Sequence, residues 1–166
     1  MINEQNPDLI LIAGDLIDNS VVPLYTEKMM EELSELKAPL GVYMVPGNHE
    51  YISGIKASTR FMQDTPIQLL RDSIVTLPNG IQLIGRDDRS NTARRSLQEL
   101  MTGIDKSKPI ILLDHQPYKL TESEAAGVDL QFSGHTHRGQ VWPMNWVTDY
   151  ILSLIHISEP TRPISI

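Results

Sequence analysis

Four short apolar runs in this chain each stop at side chains able to ligate a metal. Leu9–Ala13 runs into Gly14-Asp15, and Gly41–Val45 runs into Pro46-Gly47-Asn48-His49. Ile110–Leu113 runs into Asp114-His115, and Leu130–Phe132 runs into Ser133-Gly134-His135-Thr136-His137. Runs this short and this apolar predict buried strands. In layered α/β folds, ligand sites assemble just past the ends of strands. Four of the five histidines stand at such ends, which makes one shared site the economical reading.

The remaining pattern is consistent with an α/β fold. Between Leu24 and Lys37, Met29, Met30, Leu33 and Leu36 share one helical face, and Pro39 follows as a stop. Helices are also predicted over Ile55–Gln63 and Thr92–Met101, the latter with Leu97, Leu100 and Met101 on one side. Ser73–Leu77 and Ile81–Gly85 read as strands joined by the turn Pro78-Asn79-Gly80. That hairpin makes the sheet mixed rather than purely parallel. A length of 166 residues suits one domain with a real core. The longest apolar runs are far too short to cross a bilayer.

Composition narrows the chemistry. With no cysteine, any metal must be held by nitrogen and oxygen. A formal net charge of -7 argues against non-specific nucleic-acid binding. In an extended segment, side chains at i and i+2 point the same way, so His135 and His137 can face one site. Asp15, Asn48 and His115 add oxygen donors and another imidazole. Such a mixed set suits Mn, Fe, Zn or Mg better than copper. One carboxylate can bridge two ions, and a dinuclear site can activate water for in-line attack on phosphorus. Taken singly each residue has a plainer reading: Gly14-Asp15 and Asn48 as turn residues, His115 as a structural histidine. Only their recurrence at successive strand ends favours a metal site.

Gly14-Asp15-Leu16-Ile17-Asp18, Gly47-Asn48-His49-Glu50, His115 and Gly134-His135-Thr136-His137, in that order, resemble the motifs of the calcineurin-like metallophosphoesterases. The continuation through Pro143, GHTHRGQVWP, is most similar to a bacterial, membrane-associated phosphodiesterase-like branch. The resemblance implies a mixed-sheet β sandwich flanked by helices in four layers, incomplete here at both ends. It implies two divalent ions in the parent enzyme, with Asp15 bridging them. Asn48, His115 and His135 would hold the second ion and His137 the first. His49 would sit near the leaving group as general acid or transition-state stabiliser. Asp18 and Glu50 would orient the ligands. Arg138 is either a contact for a substrate phosphate or a solvated surface residue. The substrate would be a small-molecule or lipid phosphoester, a phosphodiester before a monoester.

The chain also departs from that pattern. The family's Asp-x-His motif is missing: Asp8 is the only aspartate before Gly14, and no histidine precedes His49. On this reading residues 1–151 are a partial domain that starts at an internal methionine, with neighbouring strands left without a partner. Membrane association, if the parent has it, would come from a segment preceding Met1. At the other end, LSLIHISEPTR from Leu152 to Arg162 matches a translated transposase adapter used in sequencing libraries. Residues 152–166, His156 included, are therefore read as a sequencing scar; the alternative is a natural tail packed on the domain. The expected function is metal-dependent phosphoester hydrolysis, impaired in this chain. The alternative is a non-catalytic metal-binding or scaffold module that lost its first motif.

Overall fold

The computed structural model describes residues 2–136. The fold set out below is that of the unit ending at His135. His137, Arg138 and the 152–166 tail lie outside the described residues.

Two sheets carry the fold. In the first, β1 (Ile10–Ile12), β2 (Val42–Met44) and β3 (Ile67–Leu69) are parallel, in the order β1-β2-β3. In the second, β4 (Ser73–Thr76), β5 (Gln82–Gly85), β6 (Ile110–Leu113) and β7 (Leu130–Phe132) lie in sequence order. The β4–β5 pair is antiparallel, as the hairpin predicts, and the β5–β6 and β6–β7 pairs are parallel. Parallel neighbours need crossover connections. α1 (Val22–Thr26) and α2 (Met29–Ser34) join β1 to β2, and α3 (Asn48–Ile52) and α4 (Ile55–Gln63) join β2 to β3. α5 (Leu97–Leu100) and α6 (Leu120–Ala126) do the same in the second sheet.

Strand periodicity sorts the apolar side chains into layers. Leu11, Tyr43, Val45, Leu83, Ile111 and Leu113 pack together between the sheets. Their sequence neighbours point the other way. Ile10, Ile12, Val42, Met44 and Ile67 meet Leu24, Leu33, Phe61 and Met62 from α1, α2 and α4. Ile84, Ile110 and Leu112 meet Leu97 and Leu100 of α5. The order is helices, sheet, sheet, helices. Both faces of each central strand are covered, so the strands read as continuous apolar runs rather than alternating ones. Each fully buried residue of this kind contributes roughly 1.5–3 kcal/mol of burial free energy.

The structure departs from expectation in several elements. The helix expected over Leu24–Lys37 is two helices, broken where Lys28 adopts a φ of 60°. The predicted apolar face survives the break: Met29, Met30, Leu33 and Leu36 all pack on the first sheet's core. The helix expected from Thr92 begins only after Ser96, whose hydroxyl accepts from the Glu99 N–H while Glu99 accepts from the Ser96 N–H. That reciprocal cap sets the start. β3, α3 and α6 carried no prediction; the first and last are short and lack a clean period.

A polar cluster ties α3 to the second sheet. The Asp87 carboxylate, just past β5, accepts from the Tyr51 hydroxyl at 2.6 Å, Arg71 Nε at 3.0 Å and Asn91 Nδ2 at 3.0 Å. Burial works to raise the Asp87 pKa, but these donors outweigh it and hold the carboxyl below its ordinary value. Burial, then the Asp87 charge, pushes the Tyr51 phenol up to about 12. Among the described residues no helix is long and apolar enough to cross a membrane.

A carboxylate with a lowered folded pKa contributes stability above its unfolded pKa and loses it as pH falls through the folded value. Asp87→Asn is therefore expected to cost about 1–3 kcal/mol at pH 7 in urea unfolding. The gap to the unsubstituted protein should hold from pH 7 down to about pH 4 and close only below that. A gap that narrows already between pH 7 and 5 would contradict this account of Asp87.

Candidate metal centre

The site is built where the ends of β1, β2, β6 and β7 meet. Glycine makes the approach possible. Gly14 has a φ of 88°, and a Cβ there would lie 2.6 Å from Gly47 N and 2.8 Å from His115 Nδ1. A Cβ on Gly47 would lie 2.1 Å from Asp15 Oδ1. No larger residue fits either position with the loops as they stand.

Glu50 holds the β1 and β2 loops together. It is fully buried, and its carboxylate accepts three backbone N–H bonds: Asp15 at 2.9 Å, Ile17 at 2.9 Å and Gly47 at 2.7 Å. The Gly47 bond is half of a capping box at the start of α3, with Glu50 at the third helical position. Glycine has no side chain to supply the other half. Asp15 compensates from the neighbouring loop, its Oδ1 accepting from the His49 N–H at 3.0 Å. One interaction thus caps the helix and orients the Asp15 carboxylate.

The other Asp15 oxygen, Oδ2, lies 3.1 Å from His115 Nε2. Asn48 Oδ1 stands 3.1 Å from His115 Nε2 and 3.0 Å from His135 Nδ1, and the two ring nitrogens are 3.2 Å apart. The ligating atoms of Asp15, His115 and His135 all fall within 4.8 Å of one another. Asp15 and His135 adopt left-handed backbone, with φ of 56° and 70°. Such strain in residues other than glycine gathers at functional sites.

His115 is set for ligation. Its Nδ1 lies 2.6 Å from the Ala13 carbonyl, which can only accept, so Nδ1 carries a hydrogen. In the neutral ring the lone pair is then on Nε2, facing Asp15, Asn48 and His135. A backbone carbonyl behind a histidine is a common support for a metal ligand. Lone pairs this close repel unless a proton or cation lies among them. A divalent ion with bonds of about 2.0–2.2 Å suits donors at this spread, so the residues fit a metal. Burial works to lower the His115 pKa, but the Asp15 carboxylate and the Ala13 carbonyl outweigh it and hold it above its ordinary value. Burial works to raise Asp15, and its bonds with His115 and His49 outweigh that and hold it below its ordinary value.

Asp15, Asn48, His115 and His135 are thus brought together as one cluster. His49 is placed beside it rather than in it. Its backbone bonds Asp15, while its ring Nδ1 lies 2.9 Å from both the Asp18 carbonyl and an Asp18 carboxylate oxygen. The role expected of Asp18 changes accordingly: it faces His49, not a ligand of the cluster. Glu50 orients Asp15, through the backbone. Sequence reading missed the Ala13 carbonyl behind His115, because a backbone acceptor leaves no residue-type signal.

Comparison with known proteins identifies the family. The model of the calcineurin-like phosphoesterase family matches residues 1–139, so the chain belongs to that family. An uncharacterized metallophosphoesterase of Helicobacter pylori is 34% identical over 160 residues, covering 93% of this chain and 42% of its own length. A zebrafish (Danio rerio) transmembrane protein with a metallophosphoesterase domain is 30% identical over 180 residues, covering 97% of this chain and 41% of its own length. The chain therefore spans about two fifths of these relatives. Among solved structures, a 5'-nucleotidase precursor from Thermus thermophilus shares the fold, with a TM-score of 0.54 at 17% identity. That match covers 78% of this chain and 32% of the nucleotidase.

Two measurements check the site. Glu50→Gln turns one acceptor oxygen into a donor against buried N–H groups and is expected to destabilise the protein by about 3 kcal/mol or more in urea. In calorimetric titration with Mn, Asn48→Ala and His135→Ala should each weaken binding at least about tenfold, while His49→Ala should not. Because a proton and the metal compete for His115 Nε2, affinity should fall by up to about tenfold per pH unit below the raised His115 pKa. Affinity that stays flat from pH 8 to 5.5 would remove His115 from the site.

Proposed function

We propose that this chain, as a member of the calcineurin-like phosphoesterase family, carries part of a metal-dependent phosphodiesterase whose parent enzyme uses two divalent ions. The observation that carries the reading is the meeting of Asp15, Asn48, His115 and His135 at four strand ends. Those four would hold one ion. Asp15 and His137 would contribute to the other. Ions bound there supply positive charge to phosphoryl oxygens and activate water.

The chain's own residues do the rest. Glu50 fixes the Asp15 backbone and the His49 N–H holds its carboxylate before substrate arrives, so little reorganisation is needed during reaction. His49 is held at Nδ1 by Asp18, which leaves Nε2 as the ring atom to meet a leaving-group oxygen. In that position it donates a proton or stabilises developing charge. The preference for a diester, with a small-molecule or lipid substrate, rests on the likeness of the GHTHRGQVWP stretch to one branch of the family. Arg138 is a candidate contact for a substrate phosphate.

This chain would be an impaired version. Without an Asp-x-His pair ahead of Gly14, one ion keeps only Asp15 and His137 as ligands. The second reading is a metal-binding module without catalysis, since the described cluster by itself is a set of ligands.

The test is manganese-dependent hydrolysis of bis-(p-nitrophenyl) phosphate. A rate well below that of the full-length Helicobacter pylori relative is expected, abolished by Asn48→Ala. His49→Ala should reduce kcat by about 10²–10⁴ with Mn affinity kept. Hydrolysis equal to the intact relative would refute the impairment. Mn binding with no hydrolysis of this or other phosphoesters would favour the module without catalysis.

A further inference from the structure

One buried feature has no part in the reading above. Arg86, directly past β5, and Arg94 both point at Asp114, directly past β6, and both pair with the same oxygen, Oδ2. The Arg94 side chain is 9% exposed, that of Arg86 13%, and that of Asp114 4%. Two guanidiniums share one carboxylate oxygen, and the further carboxylates that act on Arg86 are Glu122 and Asp72. Among the described residues Nε of both arginines and Oδ1 of Asp114 are buried without a hydrogen-bond partner. Burial pulls the Arg86 pKa down in spite of Asp114. Buried guanidinium donors in excess of the carboxylates beside them favour an anion.

The arginines line an open cavity of about 280 Å³. Arg89, Arg95 and Lys119 complete its walls, so five cations face two carboxylates, Asp114 and Glu122. This sits in a chain whose overall charge is -7. Arg95 spends its guanidinium on two backbone carbonyls, Asp72 and Glu99, which leave its charge in place. Arg89 lies over the Tyr118 ring at 4.6 Å, which holds it at the cavity. Arginine forks of this kind match the oxygens of a phosphoryl group.

The cavity is also tied to the metal centre by chain connectivity. Asp114 and His115 are consecutive, so their functional atoms are on the order of 10 Å apart at most. Gln116, which also lines the cavity, donates to Asp88 at 2.9 Å and fixes the same loop from its far side.

We propose that the Arg86–Arg94 cavity is a second anion subsite, taking another phosphoryl group of the substrate while the scissile phosphoester faces the metal cluster. This rests on the hydrolase reading and narrows it to substrates with two phosphoryl groups about one sugar apart. It assigns Arg94 and Arg86 as specificity residues rather than catalytic ones.

The test is by binding, so that it does not depend on turnover. With EDTA present, inorganic phosphate is titrated into the full chain by calorimetry. Binding in the millimolar range or tighter is expected, at least tenfold weaker in Arg94→Gln and unchanged in Lys56→Gln, which lies outside the cavity. Should Arg94→Gln not fold, Lys119→Gln and Arg89→Gln, at the walls, should each weaken binding about threefold. No binding at 10 mM phosphate, or binding indifferent to all three cavity variants, overturns the proposal. In a second arm, fructose 1,6-bisphosphate is titrated with and without Mn. A gain of tenfold or more with Mn, beyond any gain for inorganic phosphate, is expected if one molecule spans both sites. No such gain overturns the assignment to substrate and leaves a site for free phosphate. Asn48→Ala should remove the Mn gain yet keep the binding seen in EDTA. Loss of hydrolase activity alone would leave both arms readable, so failure of the hydrolase reading and failure of the subsite give different results.

Discussion

The three N–H bonds accepted by Glu50 are the constraint on which the rest of the site depends. They join Asp15, Ile17 and Gly47, residues from two loops separated by more than a helix pair of sequence. A fully buried carboxylate is costly unless its oxygens are satisfied. Satisfied, it locks both loops in one arrangement. In that arrangement Gly47 lies so close to Asp15 that a methyl group would not fit. The Asp15 carboxylate is then held between the α3 amide and the His115 ring.

The layered core serves the same end. Each central strand buries both faces, one against the opposing sheet and one against helices. Strands clamped in this way cannot slip by one residue without turning every apolar side chain to the wrong layer. The loops that leave them therefore start from fixed points. The polar bridge from Asp87 to Tyr51, Arg71 and Asn91 adds a second tie between α3 and the sheet that carries His115. The site gains its order from packing on both sides, not from its own bonds alone.

Much of the fold was legible because the strands are buried on two faces and so stand out as apolar runs. Ile110–Leu113, Leu130–Phe132 and the helix Ile55–Gln63 have the predicted bounds. The misses have local causes. Nothing at Lys28 marks a break, since a positive φ at a lysine has no sequence signature. The apolar face of α5 is legible along the chain, but its start is set by the cap at Ser96 rather than by that face. β3, with three residues, is too short to show a period, and its partner β2 holds it in place. The arginine pair on Asp114 is hidden in the sequence for a different reason. Charged residues spread over Arg86, Arg94 and Asp114 look like solvated surface until the fold buries them together.

By itself the sequence determined the donor types and their order: one aspartate, one asparagine and a series of histidines, each at the end of an apolar run, with no thiol among them. Side-chain chemistry and strand periodicity are local properties, so they can be read along the chain. The tertiary structure alone decided which donors share a point, which nitrogen of His115 holds the lone pair, and that Asp18 faces His49. Those outcomes depend on distances between residues far apart in sequence, such as Ala13 and His115, 102 positions apart, and only packing sets such distances.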